Sequence, residues 1–312
     1  MLNHGLPSFS IVVPTYSRPM QLATCLAAIG NLDYPRDRFE VIVVYDGDTT
    51  RSWEDAALQN GVLVKRIVQA HAGPAAARNR GAANAGSQFV AFTDDDCEPD
   101  RGWLRVLSMQ MMSEPNGAVG GQTINALPEN PYSTASQELV AYLYAHLNRE
   151  VESAGFFATN NLAVPLQRFR EVGGFDERFT FAAGEDRDFC DRWRAKGLPL
   201  AYAADAIVRH AHALSLRAFV SQQFNYGRGA FDFHSLRARR TGRPALGEPL
   251  SFYLRLLIHP FAAAPQRHPP LQQAALFALS QAAIAAGWCY AALFRVQHAG
   301  GERDAFQRGV VR

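Results

Sequence analysis

FVAFTDDDCEPDRGW, Phe89 to Trp103, is the stretch from which the rest of the chain is read. Phe89, Val90, Ala91 and Phe92 form a short apolar run, the pattern of a buried strand. Asp94, Asp95 and Asp96 follow at once. Three carboxylates this close raise one another's pKa unless a cation neutralises them. Hard oxygen ligands of this kind suit Mg²⁺ or Mn²⁺, which take one or two carboxylates together with substrate phosphates. The same residues also read as a polar turn, since Asp is common in turns and Pro99 follows closely. The flanking sequence has to choose between the two.

Upstream, the β-branched run Phe9 to Val13 stops at Pro14 and reads as the first strand of a parallel sheet. Met20 to Ile29 is helical, with Leu22, Cys25, Leu26 and Ile29 on one face. Glu40 to Val44 is a second strand, ending at Tyr45-Asp46-Gly47-Asp48, and Leu63 to Val68 a third. Gly73 to Ala85 is an Ala-rich helix with Arg78 and Asn79 near its start. Strands alternating with helices give an α/β fold with a mostly parallel sheet, in which ligands collect beyond the carboxyl ends of the strands. Tyr16, Asp46 and the three aspartates all fall at such ends. Asp46 is either an Asp-Gly turn residue or an acceptor for a base N–H or ribose hydroxyl. Arg78 is suited to a phosphate, a carboxylate, or the Asp cluster itself.

Downstream, Val119 to Ile124 suggests a strand, Gln137 to Leu147 a helix, Thr159 to Pro165 a strand and Leu166 to Val172 a short helix. Glu185 and Asp186 follow Gly184 at the start of a helix whose apolar stripe is Phe189, Cys190 and Trp193. Acidic residues there favour the helix dipole; a general base near a sugar site would look the same. Leu200 to Val208 is a last strand, ending at Arg209-His210.

Composition sets the class. With 48% hydrophobic and 19% charged residues, the 312-residue chain is of ordinary globular type, one large or two small domains. Its net charge of +2 conceals an asymmetry: residues 201–312 hold 13 Arg and Lys against 5 Asp and Glu, which leaves 18 against 24 in residues 1–200. An acidic front half and a basic tail suit a metal-binding core and a tail that faces an anionic surface. The four cysteines are scattered without a CxxC pair, so a reducing cytoplasm is expected and a zinc or disulfide framework is not. The opening MLNHGLPSFS lacks the basic and long apolar regions of a secretory signal.

Taken together, IVVPTYSRP (11–19), VIVVYDGD (41–48), ARNRG (77–81), FVAFTDDDCEPDRGWL (89–104), TNNLAVP (159–165), GGFDERF (173–179), GEDRDFCDRW (184–193) and the strand ending at His210 resemble the family-2 glycosyltransferases, over roughly residues 9–230. The resemblance implies a GT-A, Rossmann-like fold and inverting transfer of one sugar, UDP-linked by preference, from a nucleotide-diphosphate donor to a glycan or lipid-linked acceptor. It implies a catalytic domain over 1–213, nucleotide-binding to about residue 100 and acceptor-binding beyond. By position, Pro14, Thr15, Tyr16, Arg18, Asp46, Arg78, Asn79, Asp94 and Asp95 would bind the nucleotide. Asp96, Asp94 and His210 would hold Mn²⁺ or Mg²⁺, with Asp96 the more direct ligand. Asp186, beside Glu185, would be the catalytic base. Tyr45 and Asp48 depart from the family pattern around Asp46, and no QxxRW motif of processive synthases occurs. Rival readings are a nucleotidyltransferase and a non-catalytic nucleotide-sugar-binding protein; no GxGxxG follows the first strand to support a dinucleotide oxidoreductase.

The tail, 214–312, is expected to be helical, basic and membrane-associated. Six arginines between 217 and 243 are interleaved with aromatics, too short a cluster to imply a nucleic-acid partner. Leu250 to Ala264 and Leu271 to Phe294 are apolar, and the second runs 24 residues without a formal charge, long enough to span a bilayer. A buried helical subdomain or homo-oligomer interface, an interfacial helix pair on an anionic membrane, and a true span all fit. The middle reading places the protein in the cytoplasm at the inner face of the cell membrane.

Overall fold

In β1 (Phe9–Thr15) and β2 (Phe39–Asp46) successive side chains alternate between two cores. Ile11, Val13, Val41 and Val43 point into one, Val12, Ile42 and Val44 into the other. A strand buried on both faces reads as a continuous apolar run, which is what the sequence shows. The computed structural model describes residues 5–47, 62, 64–148, 155–181, 183–242, 249–262 and 267–307, with side chains of the last helix to Phe294. Asp48 and the Leu63 start of the expected third strand lie outside the described residues.

The remaining elements of the first unit are α1 (Pro19–Gly30), β3 (Val64–Gln69), α2 (Pro74–Ala83), β4 (Phe89–Phe92), β5 (Cys97–Pro99), α3 (Trp103–Ser113), β6 (Ala118–Asn125), α4 (Pro131–Leu147), β7 (Leu162–Pro165), α5 (Leu166–Val172), α6 (Glu185–Ala195) and β8 (Leu200–His210). The strands make one eight-stranded sheet, ordered β3-β2-β1-β4-β7-β6-β8-β5. Pairing is parallel from β3 to β4 and between β6 and β8, and antiparallel where β7 meets β4 and β6 and where β5 meets β8. One core takes Leu22, Cys25, Leu26 and Ile29 of α1 with Trp103, Leu104, Leu107 and Met111 of α3. The other takes Ala75 and Ala77 of α2, Phe169 of α5, and Phe189 and Trp193 of α6. The sheet is therefore covered on both faces by helices, as an α/β layered fold requires.

Three boundaries differ from the sequence reading. Helix α4 begins at Pro131 rather than Gln137, because Asn130 accepts the N–H groups of Tyr132 and Ser133 and Pro131 occupies the first turn. Thr159–Asn161 form a 3₁₀ turn, so the expected strand starts only at Leu162. There Asn161 accepts from Trp103 Nε1 and donates to the carbonyls of Gln122 and Ala206, which satisfies the backbone at the β6–β8 irregularity. The short strand β5 was not expected at all. Its register pairs Cys97 with His210 and so brings the aspartate turn against the end of β8.

Contacts divide the chain into two compact units, residues 1–213 and 214–312. The second contains α7 (Leu216–Thr241), α8 (Leu250–Ala262) and α9 (Pro270–Gln307). Helices α7 and α9 cross at glycines. A Cβ on Gly227 would run into the Ile284 carbonyl, and one on Gly287 into the Phe224 carbonyl. Buried polar groups in this unit include Gln223 and Ser280, whose side chains bond each other at 3.0 Å. The stretch Pro270–Phe294 of α9 is long and apolar enough to cross a membrane, by length and composition.

Candidate active site

The aspartates sit in a tight turn between β4 and β5, closed by Cys97 N–H donating to the Asp94 carbonyl at 3.1 Å. Each carboxylate leaves the turn toward a different partner. Asp94 accepts from Arg78 at 2.7 Å. Asp95 accepts from Thr15 Oγ1 at 2.7 Å and from Arg18 at 3.2 Å. Asp96 accepts from Arg18 at 2.9 Å and lies 3.2 Å from His210 Nε2. The ends of β1, β4, β5 and β8 thus converge on one acidic turn.

Their environments separate the carboxylates. Burial pushes Asp95 up to about 6, against the Arg18 charge and the Thr15 hydrogen bond, which favour ionisation. Burial also disfavours charge on Asp96, but the His210 hydrogen bond and the His210 and Arg18 charges outweigh it and hold this carboxyl well below the usual range. Burial works against a His210 cation as well, and the Asp96 carboxylate prevails and lifts its pKa.

Arg78 links this turn to a second acidic pair. It projects from α2 and is only 3% exposed, yet reaches both Asp94 and, at 2.9 Å, Glu185 Oε1 at the start of α6. Glu185 is itself buried, and its Oε2 and Arg78 Nε have no hydrogen-bond partner among the described residues. Next to it, Asp186 accepts its neighbour Arg187's N–H at 2.7 Å. Burial first, then the adjacent Glu185 charge, push Asp186 far above the ordinary carboxylate range; burial likewise raises Glu185, against the pull of Arg78. Asp186 is thus protonated more readily than a free aspartate.

The donor set fits a divalent cation. Asp96, Cys97 and His210 bring a carboxylate oxygen, a thiol and an imidazole nitrogen within 4.8 Å of one another. Asp94, Asp95, Asp96 and Glu185 are paired with Arg18, Arg78 and His210. Asp94, expected among the metal ligands, has its Oδ1 held by Arg78, and Cys97 joins Asp96 and His210 in the cluster. The Cys97 thiol is fully buried and its pKa is pushed well up by burial and the aspartates.

Two residues expected at the nucleotide also hydrogen-bond the protein itself. Asp46 receives the N–H groups of Ala72 and Gly73 at 2.7 and 2.8 Å, Gln69 Nε2 at 2.9 Å, and has His71 Nδ1 at 3.0 Å. Its carboxylate fastens the loop between β3 and α2, where Gly73 (φ +93°) lies so close to the Thr180 carbonyl that no side chain fits. Asn79 bonds the backbone of Phe175 in both directions and also Glu177, and so clamps the GGFDERF turn. Pro14 is part-buried opposite Val44. The residue sequence reading missed is His71, whose ring lies 4.5 Å from that of Tyr16. Both are more than half exposed, and together they form an aromatic ledge at the ends of β1 and β3. The loop HAGP carried no signal for it, since the stacking depends on a partner far along the chain.

An eight-stranded sheet sandwiched by helices, with an acidic turn at its strand ends, is the architecture of the GT-A glycosyltransferases. The mannosyltransferase PcManGT from Pyrobaculum calidifontis, solved with GDP-Man and Mn²⁺, superposes with a TM-score of 0.59 at 18% identity, over 96% of this chain and 81% of that one. GalNAc-T7, solved with UDP, GalNAc and Mn²⁺, gives 0.56 at 17% identity over 81% and 54%. More specifically, the chain belongs to glycosyl transferase family 2, whose profile matches residues 10–173; a second profile, N-terminal domain of galactosyltransferase, matches 141–213. The pre-mycofactocin glycosyltransferase of Mycobacterium tuberculosis is 30% identical over 227 residues, 71% of this chain and 46% of the relative. Glycosyltransferase AglE of Haloferax volcanii is 26% identical over 72% of this chain and 73% of its own length. The chain thus spans about half the length of the mycobacterial relative it matches.

Proposed function

We propose that the protein is an inverting glycosyltransferase that moves one sugar from a nucleotide-diphosphate donor, UDP-linked by preference, to an acceptor hydroxyl of a glycan or lipid-linked molecule. The observation that carries this is the bridge made by Arg78. It holds the Asp94–Asp96 turn and the Glu185–Asp186 pair at a fixed separation, so that one acidic group serves the leaving diphosphate while the other serves the incoming hydroxyl.

In this reading Asp96 and His210 hold Mn²⁺ or Mg²⁺, which would neutralise charge developing on the diphosphate. Cys97 and Asp94 stand beside them. Tyr16, with His71, offers a stacking face for the nucleobase, and Arg18 and Arg78 offer cationic donors toward phosphate. Asp186, raised toward neutrality, takes the proton of the acceptor hydroxyl as it attacks the anomeric carbon opposite the leaving group. The nucleotide part is the half up to about residue 100 and the acceptor part the rest of the first unit. The solved neighbours titled with GDP-Man or UDP and with Mn²⁺ support a nucleotide-sugar donor and a divalent cation. We place the enzyme at the cytoplasmic face of the cell membrane, on the strength of the apolar, basic second unit.

The test is release of nucleoside diphosphate from a panel of nucleotide sugars, with Mn²⁺, Mg²⁺ or EDTA. Metal-dependent release from one donor, lost in Asp96→Asn and Asp186→Asn, is expected. Absence of donor binding by calorimetry across the panel would sink the assignment.

A further inference from the structure

Helix α8 is apolar on both sides, and only one side is used. Phe252, Leu256 and Pro260 are buried within the C-terminal unit, which α8 joins by packing on α9. On the opposite side Leu250, Leu254, Ile258 and Phe261 recur at helical spacing and are 73, 56, 60 and 59% exposed. Four large apolar side chains in one exposed row exceed the scatter of single apolar residues that a soluble surface normally shows. Arg255 is exposed beside the row and Arg267 follows it, and from Pro249 to Phe294 the chain contains no Asp or Glu.

The geometry restricts what can cover such a row. Thirteen residues of helix span about 20 Å, too short for a hydrocarbon core of about 30 Å, so α8 does not cross a membrane by itself. An apolar face flanked by arginine, on a helix that itself carries no Asp or Glu, suits a helix lying in the plane of a negatively charged lipid surface. A polar partner would leave the four apolar groups unmatched.

We propose that α8 is an interfacial anchor, inserting Leu250, Leu254, Ile258 and Phe261 among the acyl chains of an anionic membrane while Arg255 meets the headgroups. This rests on the membrane placement offered above and assigns it to α8 rather than to a span by α9. Helix α9 also exposes apolar side chains at Leu271, Leu293 and Phe294, but it buries Gln273 and Ser280 and bonds Ser280 to Gln223 of α7, which fits the part of a support.

The test is flotation of the full chain with vesicles of phosphatidylcholine, with and without phosphatidylglycerol. Three proteins are compared: the native chain, the exposed-site variant Leu254→Ser/Ile258→Ser, and Arg255→Glu. Helix content and melting temperature verify that each variant folds. The expected result is binding to the anionic vesicles only, weakened about tenfold or more by the double serine variant. Arg255→Glu should weaken it about fivefold, with added salt acting in the same direction. Equal binding by the native chain and the double serine variant would overturn the anchor and leave the membrane placement standing on another element. No binding of the native chain to either vesicle would overturn both. A concentration-dependent dimer in light scattering, abolished by the double serine variant without vesicle binding, would show that a second copy covers the row and would also overturn the proposal. Donor hydrolysis is read in parallel, and its persistence in all three proteins separates this outcome from the glycosyltransferase reading.

Discussion

At the strand ends of the sheet, contact is made by charge: Arg78 lies between Asp94 and Glu185, and Arg18 between Asp95 and Asp96. At the crossing of α7 and α9, contact is made by shape, through two glycines that let one backbone rest on the other. Buried ion pairs contribute little net stability, because desolvation offsets the attraction. Close apolar packing contributes more for the same space. A fold selected for stability alone would not place five carboxylates together. The charged cluster is therefore where the proposed chemistry is sought, whereas the glycine crossing holds two helices together.

Six variants probe that contrast, the largest effect first. Asp186→Asn should lower turnover by about 10²–10⁴-fold, the range of a general base, with donor KM nearly unchanged. Because the folded protein raises the pKa of Asp186, its ionisation costs stability as pH rises toward neutrality, so the Asn variant should melt no lower than the native protein at pH 7. The same sign requires kcat/KM to fall on acidification through a limb above the ordinary Asp value of about 3.9, and a limb unchanged in Asp186→Asn would assign the base elsewhere. Arg78→Ala strands two carboxylates and should cost about 3–5 kcal/mol in urea denaturation. A triple change, Arg78→Met with Glu185→Gln and Asp94→Asn, should recover most of that stability and none of the activity. In the second unit, Gly287→Ala forces the crossing helices apart and should cost about 1–3 kcal/mol, read as a lowered melting transition, while donor binding persists. Smallest is His71→Ala, which removes half of the aromatic ledge. A rise in donor KM of about two- to tenfold at constant kcat is expected, with His71→Phe restoring it if stacking is the contribution.

Much of this architecture is legible in the chain. The runs FSIVV, EVIVV and FVAF announce strands because a strand buried on both faces tolerates only apolar residues. The acidic turn stands out because three adjacent carboxylates raise one another's pKa unless positive charge offsets them. What the chain conceals are pairings between distant segments. Cys97-Glu98-Pro99 is too short to read as a strand, and its partner lies at the far end of β8. Asp46 reads either as a turn residue or as an acceptor for a ligand, and in the fold it accepts the backbone N–H groups of Ala72 and Gly73. Nothing local distinguishes an N–H from the protein from an N–H on a nucleobase. Arg78 likewise announces a positive charge but not which carboxylates it will meet.

The pairing of β5 with β8 has a further consequence. Cys97 is matched to His210, and Asp100 binds Arg209 from 109 positions away. The span between holds α3, β6, α4, β7, α5 and α6, so this pairing joins the two ends of a folded segment. Setting Asp96 against His210 thus depends on contacts far apart in the chain, and such non-local pairings are the slow ones to form.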